Sequence, residues 1–316
     1  MVSPDKMNRL HDITVVIRSV GERTEQLCRQ FVKQQGVPSE NIHIIQEKPF
    51  SKAMRVGYQI GLDNDLTWTY CLDADVLLKE GALSELLKVA ETQPDNVFGM
   101  SGKVLDKLFG TERSVGNHLY RTSSLSLMIQ NIEDYENETI RPESHAKDQL
   151  KRNGLKWAKL NLYIGVHDFD QYYSDIARKA FVHAHKHVEE LSEIVQFWRN
   201  KAKIDPDFEA ALMGLANGLL HFDDVKINVE DFEMLSGQVE KQLGKKSDKI
   251  ENFTCLSPGE VLNQMTNEDN YLSSISQIDL KHYRIFKKLF YDKSYLSLMY
   301  HLKEKIIKEF KGRPNN

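Results

Sequence analysis

Short β-branched runs alternate with amphipathic stretches along the first third of the chain. Ile13 to Ile17 has the length and apolarity of a buried strand, and Glu22 to Gln35 then sets Leu27, Phe31 and Val32 at helical spacing before Gly36. The pattern returns. Ile42 to Ile45 predicts a second strand, Ser51 to Gly61 a helix with Ala53, Val56 and Ile60 on one face, and Trp68 to Leu72 a third strand that runs into acidic residues. Strands that alternate with helices predict an α/β fold built on a parallel sheet with helical crossovers. In such sheets ligands bind beyond the carboxyl ends of the strands. Arg18 to Arg23, Gln46 to Lys52 and Asp73 to Asp75 are therefore predicted to share one rim.

Further on, Gly81 to Glu91 reads as a helix, Val97 to Ser101 as a strand, Ser114 to Met128 as a loop with a strand inside it, and Leu160 to Ile164 as another strand. From about Asp175 the strand signals fade. Ala177 to Phe197, Pro206 to Leu220 and Val229 to Leu243 predict helices, a polar Lys-rich loop follows at Gly244 to Asp248, and helix resumes from Pro258. The expected organisation is a catalytic-sized α/β domain over residues 1–175 and a mainly helical region over 176–316.

Composition narrows the partners. With 41% apolar and 28% charged residues in 316, the chain has the make-up of a soluble protein with a sizeable core, and its formal charge of -4 gives no reason to expect nucleic acid. Cys28, Cys71 and Cys255 lack metal-ligand spacing and read as reduced thiols. No apolar run approaches the roughly 18 residues that cross a bilayer, so the expected location is cytoplasmic. The basic stretch 281–313 interleaves Phe286, Leu289, Leu298, Ile306 and Phe310 with Lys and Arg. It suits a helix packed on the core or one lying peripherally on an anionic membrane. His183, His185 and His187 sit among Ala, Lys and Val in a predicted helix and read as structural. No Walker loop, nucleophile elbow or dinucleotide-binding glycine turn is present.

The chemistry gathers at Cys71-Leu72-Asp73-Ala74-Asp75, where two carboxylates stand two residues apart at a strand end. In extended geometry both face one side. Like charges held together call for a cation between them, and oxygen donors suit Mg²⁺ or Mn²⁺. Such an ion bridges the phosphates of a nucleotide and offsets charge on a departing diphosphate. A plain strand-ending or turn-capping role for the two aspartates is the alternative.

An Asp-x-Asp triplet on the third strand, after two strand-helix units, resembles the motif of nucleotide-sugar transferases of the GT-A fold, over about residues 12–175. That fold is a Rossmann-like sheet with helices on both faces. The segment Arg18-Ser19-Val20-Gly21-Glu22-Arg23 is similar to the first-strand loop of family-two glycosyltransferases, which cups the nucleotide, with Arg18 in place of the usual proline. The resemblance gives Glu47 a place near the base and Lys52 one near phosphate. It makes Arg121 and His118, from Gly116-Asn117-His118-Leu119-Tyr120-Arg121, lining residues of the sugar site. Arg141-Pro142-Glu143-Ser144 before a predicted helix at Lys147 to Asn153 resembles the acidic motif that holds the base, which implies Glu143, with Asp148 as the competitor. His167, in Gly165-Val166-His167-Asp168, is implied as the third ligand of a metal on Asp73 and Asp75.

The resemblance thus implies a metal-dependent glycosyltransferase that takes a nucleotide-sugar donor, with a UDP-sugar as first guess. Its acceptor would be a surface glycan or a lipid-linked one, polysaccharide or lipopolysaccharide. Two other readings stay open: a nucleotidyltransferase acting on a sugar phosphate, and a non-catalytic sugar-nucleotide-binding scaffold.

Overall fold

The computed structural model describes residues 9–134, 139–187, 191–244 and 257–261. Residues 1–269 form one compact unit. Residues 270–316, with the basic stretch 281–313, lie outside the described residues, as does Cys255.

The chain runs β1 (Ile13–Arg18), α1 (Glu25–Gln34), β2 (Ile42–Ile45), α2 (Phe50–Asn64), β3 (Trp68–Asp73), β4 (Val76–Leu78), α3 (Ala82–Ala90) and β5 (Val97–Asp106). Then come β6 (Thr111–Arg113), β7 (Asn117–Arg121), α4 (Leu125–Gln130), α5 (Pro142–Arg152) and β8 (Lys156–His167). Four helices follow: α6 (Tyr173–Lys186), α7 (Leu191–Lys201), α8 (Pro206–Leu220) and α9 (Glu233–Leu243).

The expected α/β class is present as a mixed sheet in the order β2-β1-β3-β7-β5-β8-β4, with β6 paired to β5. β1 pairs in parallel with β2 and β3, whereas β7 runs antiparallel to both β3 and β5. The parallel sheet predicted from the alternation holds for β2-β1-β3 and for β8 beside β5, while β7 is antiparallel to its neighbours. Beyond β3 the chain passes through the short β4, the helix α3 and a β5–β6 hairpin, and enters β7 from the hairpin, so that β7 runs against its neighbours.

Helices cover both faces because the central strands are buried on both sides and, but for Thr14 and Thr69, apolar until they end in Arg18 and Asp73. Ile13, Val15, Ile17, Tyr70 and Leu72 point to one face, where Leu27, Phe31 and Val32 of α1 and Leu83, Leu86 and Leu87 of α3 cover them. The intervening Cys71 points to the other face, with Phe98 and Tyr120, against Met54 and Tyr58 of α2 and Ala146 and Leu150 of α5. Val56 and Ile60, predicted as the inner face of α2, are half-buried at its edge against Val16 and Ile45. Met54, Gly57, Tyr58 and Gly61 take the centre instead.

Strands give way to helices after His167, close to the boundary expected near residue 176, but the helices continue the same compact unit. The Trp198 indole of α7 donates to the Leu108 carbonyl at 2.6 Å, and Lys107 pairs with Asp207 at 2.8 Å. α8 lies so close to α6 that a Cβ on Gly214 would stand 2.0 Å from the Ala177 carbonyl oxygen, a contact only glycine permits. Among the described residues no helix is long and apolar enough to cross a membrane.

Candidate active site

β1 and β3 end level with each other, since Arg18 pairs in register with Asp73. Above that rim lies a cavity of about 650 Å³. Of the residues expected there, Arg18, Ser19, Glu22, Glu47, Asp73 and Asp75 line it, and so do Glu143, Asp148 and His167. Arg23, Lys52 and Arg121 do not. Arg23 is tied to Asp170 at 3.2 Å and lies over the Tyr172 ring, while Lys52 pairs with Glu47 at 2.7 Å. Arg121 corrects its expected place in the sugar site. It sits opposite Trp68, at the amino end of β3, donates to the Val97 and Gln93 carbonyls, and lies over the Trp68 ring. Its neighbour His118 does reach the cavity.

The aspartates of the third strand do not share one environment. The chain turns at Ala74 and Asp75, so the extended geometry that would align the two carboxylates ends at Asp73. Arg18 Nε donates to Asp73 Oδ1 at 2.8 Å, and its Nη2 lies 2.8 Å from the same oxygen. Gly116, at a φ of +63°, packs against this carboxylate; a Cβ there would press on Val76 at 2.7 Å.

Asp75 turns the other way. Its Oδ1 lies 3.3 Å from His167 Nε2 and its Oδ2 accepts from Lys179 Nζ at 2.5 Å. Lys179 also donates to Asp168. His167 Nδ1 lies 3.0 Å from Asp106 and 3.2 Å from Asp168, and Asp106 in turn meets Arg113 at 3.2 Å. Asp168 holds its carboxylate here from a left-handed backbone, φ 58°, with its amide donating to the Asp75 carbonyl at 3.1 Å. That conformation is unfavourable for a residue with a Cβ, and here it aims a functional side chain.

Burial opposes ionisation throughout this cluster, and charge overrides it at both ends. Burial alone would raise the Asp75 carboxyl, yet Lys179 and His167 hold it well below the usual carboxylate range. Burial would lower His167, yet Asp168, Asp75 and Asp106 keep it protonated well above the ordinary imidazole range. Glu22 goes the opposite way: burial and the nearby Asp75 raise it to about 7, although it accepts from the Ser19 hydroxyl and the Val20 amide.

Asp75, His167 and Asp168 offer ligand atoms that all lie within 4.8 Å of one another. Asp75 Oδ1 and Asp168 Oδ2 are buried without a hydrogen-bond partner, and two carboxylates with an imidazole suit Mn²⁺ or Mg²⁺. The donors fit a divalent ion, with Asp168 in the place the sequence suggested for Asp73.

Glu143 stands at the start of α5, nearly buried, with its Oε1 at the centre of a ring of partners. Tyr120 donates to it at 2.6 Å, Tyr58 lies at 3.2 Å, His118 at 2.9 Å, Arg18 at 3.4 Å and Lys147 at 3.7 Å. Burial would raise its carboxyl; Arg18, His118 and Lys147 hold it well below the ordinary range. Asp148, one turn on, is more exposed, at 57% of its side chain, and pairs with Lys151 at 2.8 Å. Lys179, Asp106, Tyr58 and Tyr120 belong to the site without having been singled out from sequence. Only Asp168 carried a signal, through its adjacency to His167.

No family model matches the chain, and no curated protein matches it in sequence. Among solved structures it is similar to A197 from STIV, with a TM-score of 0.35 and 13% identity over 47% of this chain and 81% of that one. It is also similar to a glycosyltransferase involved in the glycosylation of the major capsid of PBCV-1, at TM-score 0.33 and 12% identity over 50% and 83% of the two chains. A third is the mannosyltransferase PcManGT from Pyrobaculum calidifontis in complex with GDP-Man and Mn²⁺, at TM-score 0.37 and 10% identity over 88% and 86%.

Proposed function

We propose that this chain is a glycosyltransferase of the GT-A kind that moves a sugar from a nucleotide-diphosphate donor to an acceptor hydroxyl on a glycan or a lipid-linked saccharide. One observation carries the reading: Arg18–Asp73 and the Asp75–His167–Asp168 group flank one cavity at the carboxyl ends of β1 and β3. In this reading Ser19, Glu22 and Glu47 face the nucleotide from the first and second strand loops. Asp75, His167 and Asp168 hold Mn²⁺ or Mg²⁺, and Asp73 acts through its bond to Arg18. A divalent ion there supplies charge stabilisation for the leaving diphosphate. Asp148 is the better base, because it is exposed to the cavity, whereas the Glu143 oxygen facing Arg18 is taken up by donors.

The test is incubation with UDP-, GDP- and other nucleotide sugars, with and without Mn²⁺. Release of nucleoside diphosphate that depends on the sugar donor is expected. Pyrophosphate release from a nucleoside triphosphate and sugar phosphate instead makes the chain a nucleotidyltransferase, and binding without turnover of either makes it a scaffold.

Metal binding has a predicted pH signature. A metal takes an imidazole nitrogen only in the neutral form, and His167 is held protonated by its three carboxylates. Mn²⁺ affinity is therefore expected to rise about tenfold per pH unit across the range where the imidazole stays protonated. Calorimetry in two buffers of different ionisation heat is expected to show about one proton released per ion. No proton release places the ion elsewhere.

A further inference from the structure

One face of α6 lines the cavity from Arg178 to its carboxyl end: Arg178, Lys179, Val182, His183 and Lys186 all reach it. Lys179 belongs to the carboxylate group. Lys186 lies seven residues on, about 10 Å further along the helix. Around it the wall is basic. Arg141, just before α5, donates to the Lys186 carbonyl at 2.5 Å and lies 3.2 Å from His187 Nε2. Burial, together with Arg141, Arg178 and Arg113, pulls the Lys186 ammonium down to about 8.

Among the described residues, acids do not balance these cations. Among the described residues, Arg141 and Lys186 have no carboxylate partner, Arg178 reaches Asp175 only at 3.5 Å, and Arg113 shares Asp106 with His167. Arg178 Nε is buried without a hydrogen-bond partner. The carbonyl end of α6 accounts for one cation near its last turn, but not for two arginines brought in from α5 and β6. Converging cations in a cavity wall are favourable when an anion sits among them, and arginine forks match phosphate oxygens.

We propose that Arg141, Lys186, Arg178 and Arg113 hold a phosphate ester carried by the acceptor, on the wall of the cavity formed by the carboxyl-terminal part of α6, beside the carboxylates that would hold the donor's metal ion. The word acceptor rests on the glycosyl-transfer reading; the phosphate site does not.

The test is calorimetric titration of the full chain with butyl phosphate and with dodecyl phosphate, followed by repetition in the presence of UDP or GDP. Butyl phosphate is expected to bind, to resist competition by either nucleotide, and to lose at least tenfold in affinity in the R141Q/K186Q double variant. Equal affinity for the two esters points to a soluble phosphorylated acceptor, and tighter binding of the dodecyl ester to a lipid phosphate; both support the site. A melting curve beside the titration shows the double variant folded. No binding, unchanged affinity in the folded double variant, or displacement by the nucleotides overturns the proposal. If butyl phosphate binds and neither nucleotide does, the phosphate site stands and the glycosyl-transfer reading fails.

Discussion

Asp75→Asn is expected to reduce donor turnover on the order of a thousandfold, the equivalent of about 4 kcal/mol of barrier. The reason is local. Asp75 meets both His167 and Lys179, one through each oxygen, as Asp168 does from the other side. An amide keeps the shape and still accepts from Lys179 through its oxygen. It removes the charge that keeps Asp75, His167 and Asp168 suited to a divalent ion. The fold should tolerate the change, because Asp168 remains as a partner for Lys179. The measurement is nucleoside diphosphate release at saturating Mn²⁺, beside a melting curve that shows the variant folded. Retention of more than a tenth of the activity in a folded variant removes Asp75 from the reaction. Asp73→Asn serves as the contrast: with Asp73 bonded to Arg18, its loss is expected to weaken donor binding before it lowers the maximal rate.

The sheet was legible because its signal is local. Ile13 to Ile17 and Trp68 to Leu72 are strands whose apolar runs leave no alternative, and α1 shows its inner face through Leu27, Phe31 and Val32. The edges were not. β8 extends four residues before Leu160 because its N-terminal part carries Lys156, Trp157 and Lys159, half of it solvated on a strand paired in parallel with β5. α4 was hidden inside a segment read as loop, since Leu125 and Met128 supply only one turn of pattern. In the site, Asp75 and His167 were found and their meeting follows from the β4–β8 register, where Val76 pairs with His167. Lys179 was not found, because an Arg-Lys pair on an amphipathic helix looks like solvated surface. Only the tertiary fold, which sets α6 so that Lys179 meets Asp75 and Asp168, turns that lysine inward. Non-local charge partners carry no sequence spacing to read.

Glu143 supplies the largest expected stability effect. Glu143→Leu is expected to cost about 3–5 kcal/mol, because the substitution leaves Arg18 buried with Asp73 as its remaining counter-charge and takes the acceptor from the Tyr120 hydroxyl, while Tyr58 keeps only its bond to Tyr120. Glu143→Gln keeps an acceptor for Tyr120 and is expected to cost less. The same residue sets a pH dependence whose sign is fixed. Its folded-state carboxyl titrates well below its ordinary value, while in the unfolded chain it titrates near about 4.3. Its contribution is therefore complete above that unfolded value and is lost as the pH falls through it toward the depressed folded one. Denaturant titrations from neutral pH down to about pH 3, below the unfolded-state value, check this. The gap between wild type and Glu143→Gln is expected to narrow as pH drops below about 4.3, since protonation gives the wild type the neutral group the variant already has. A gap that stays constant with pH assigns the stabilisation to packing around α5 instead of to the charge.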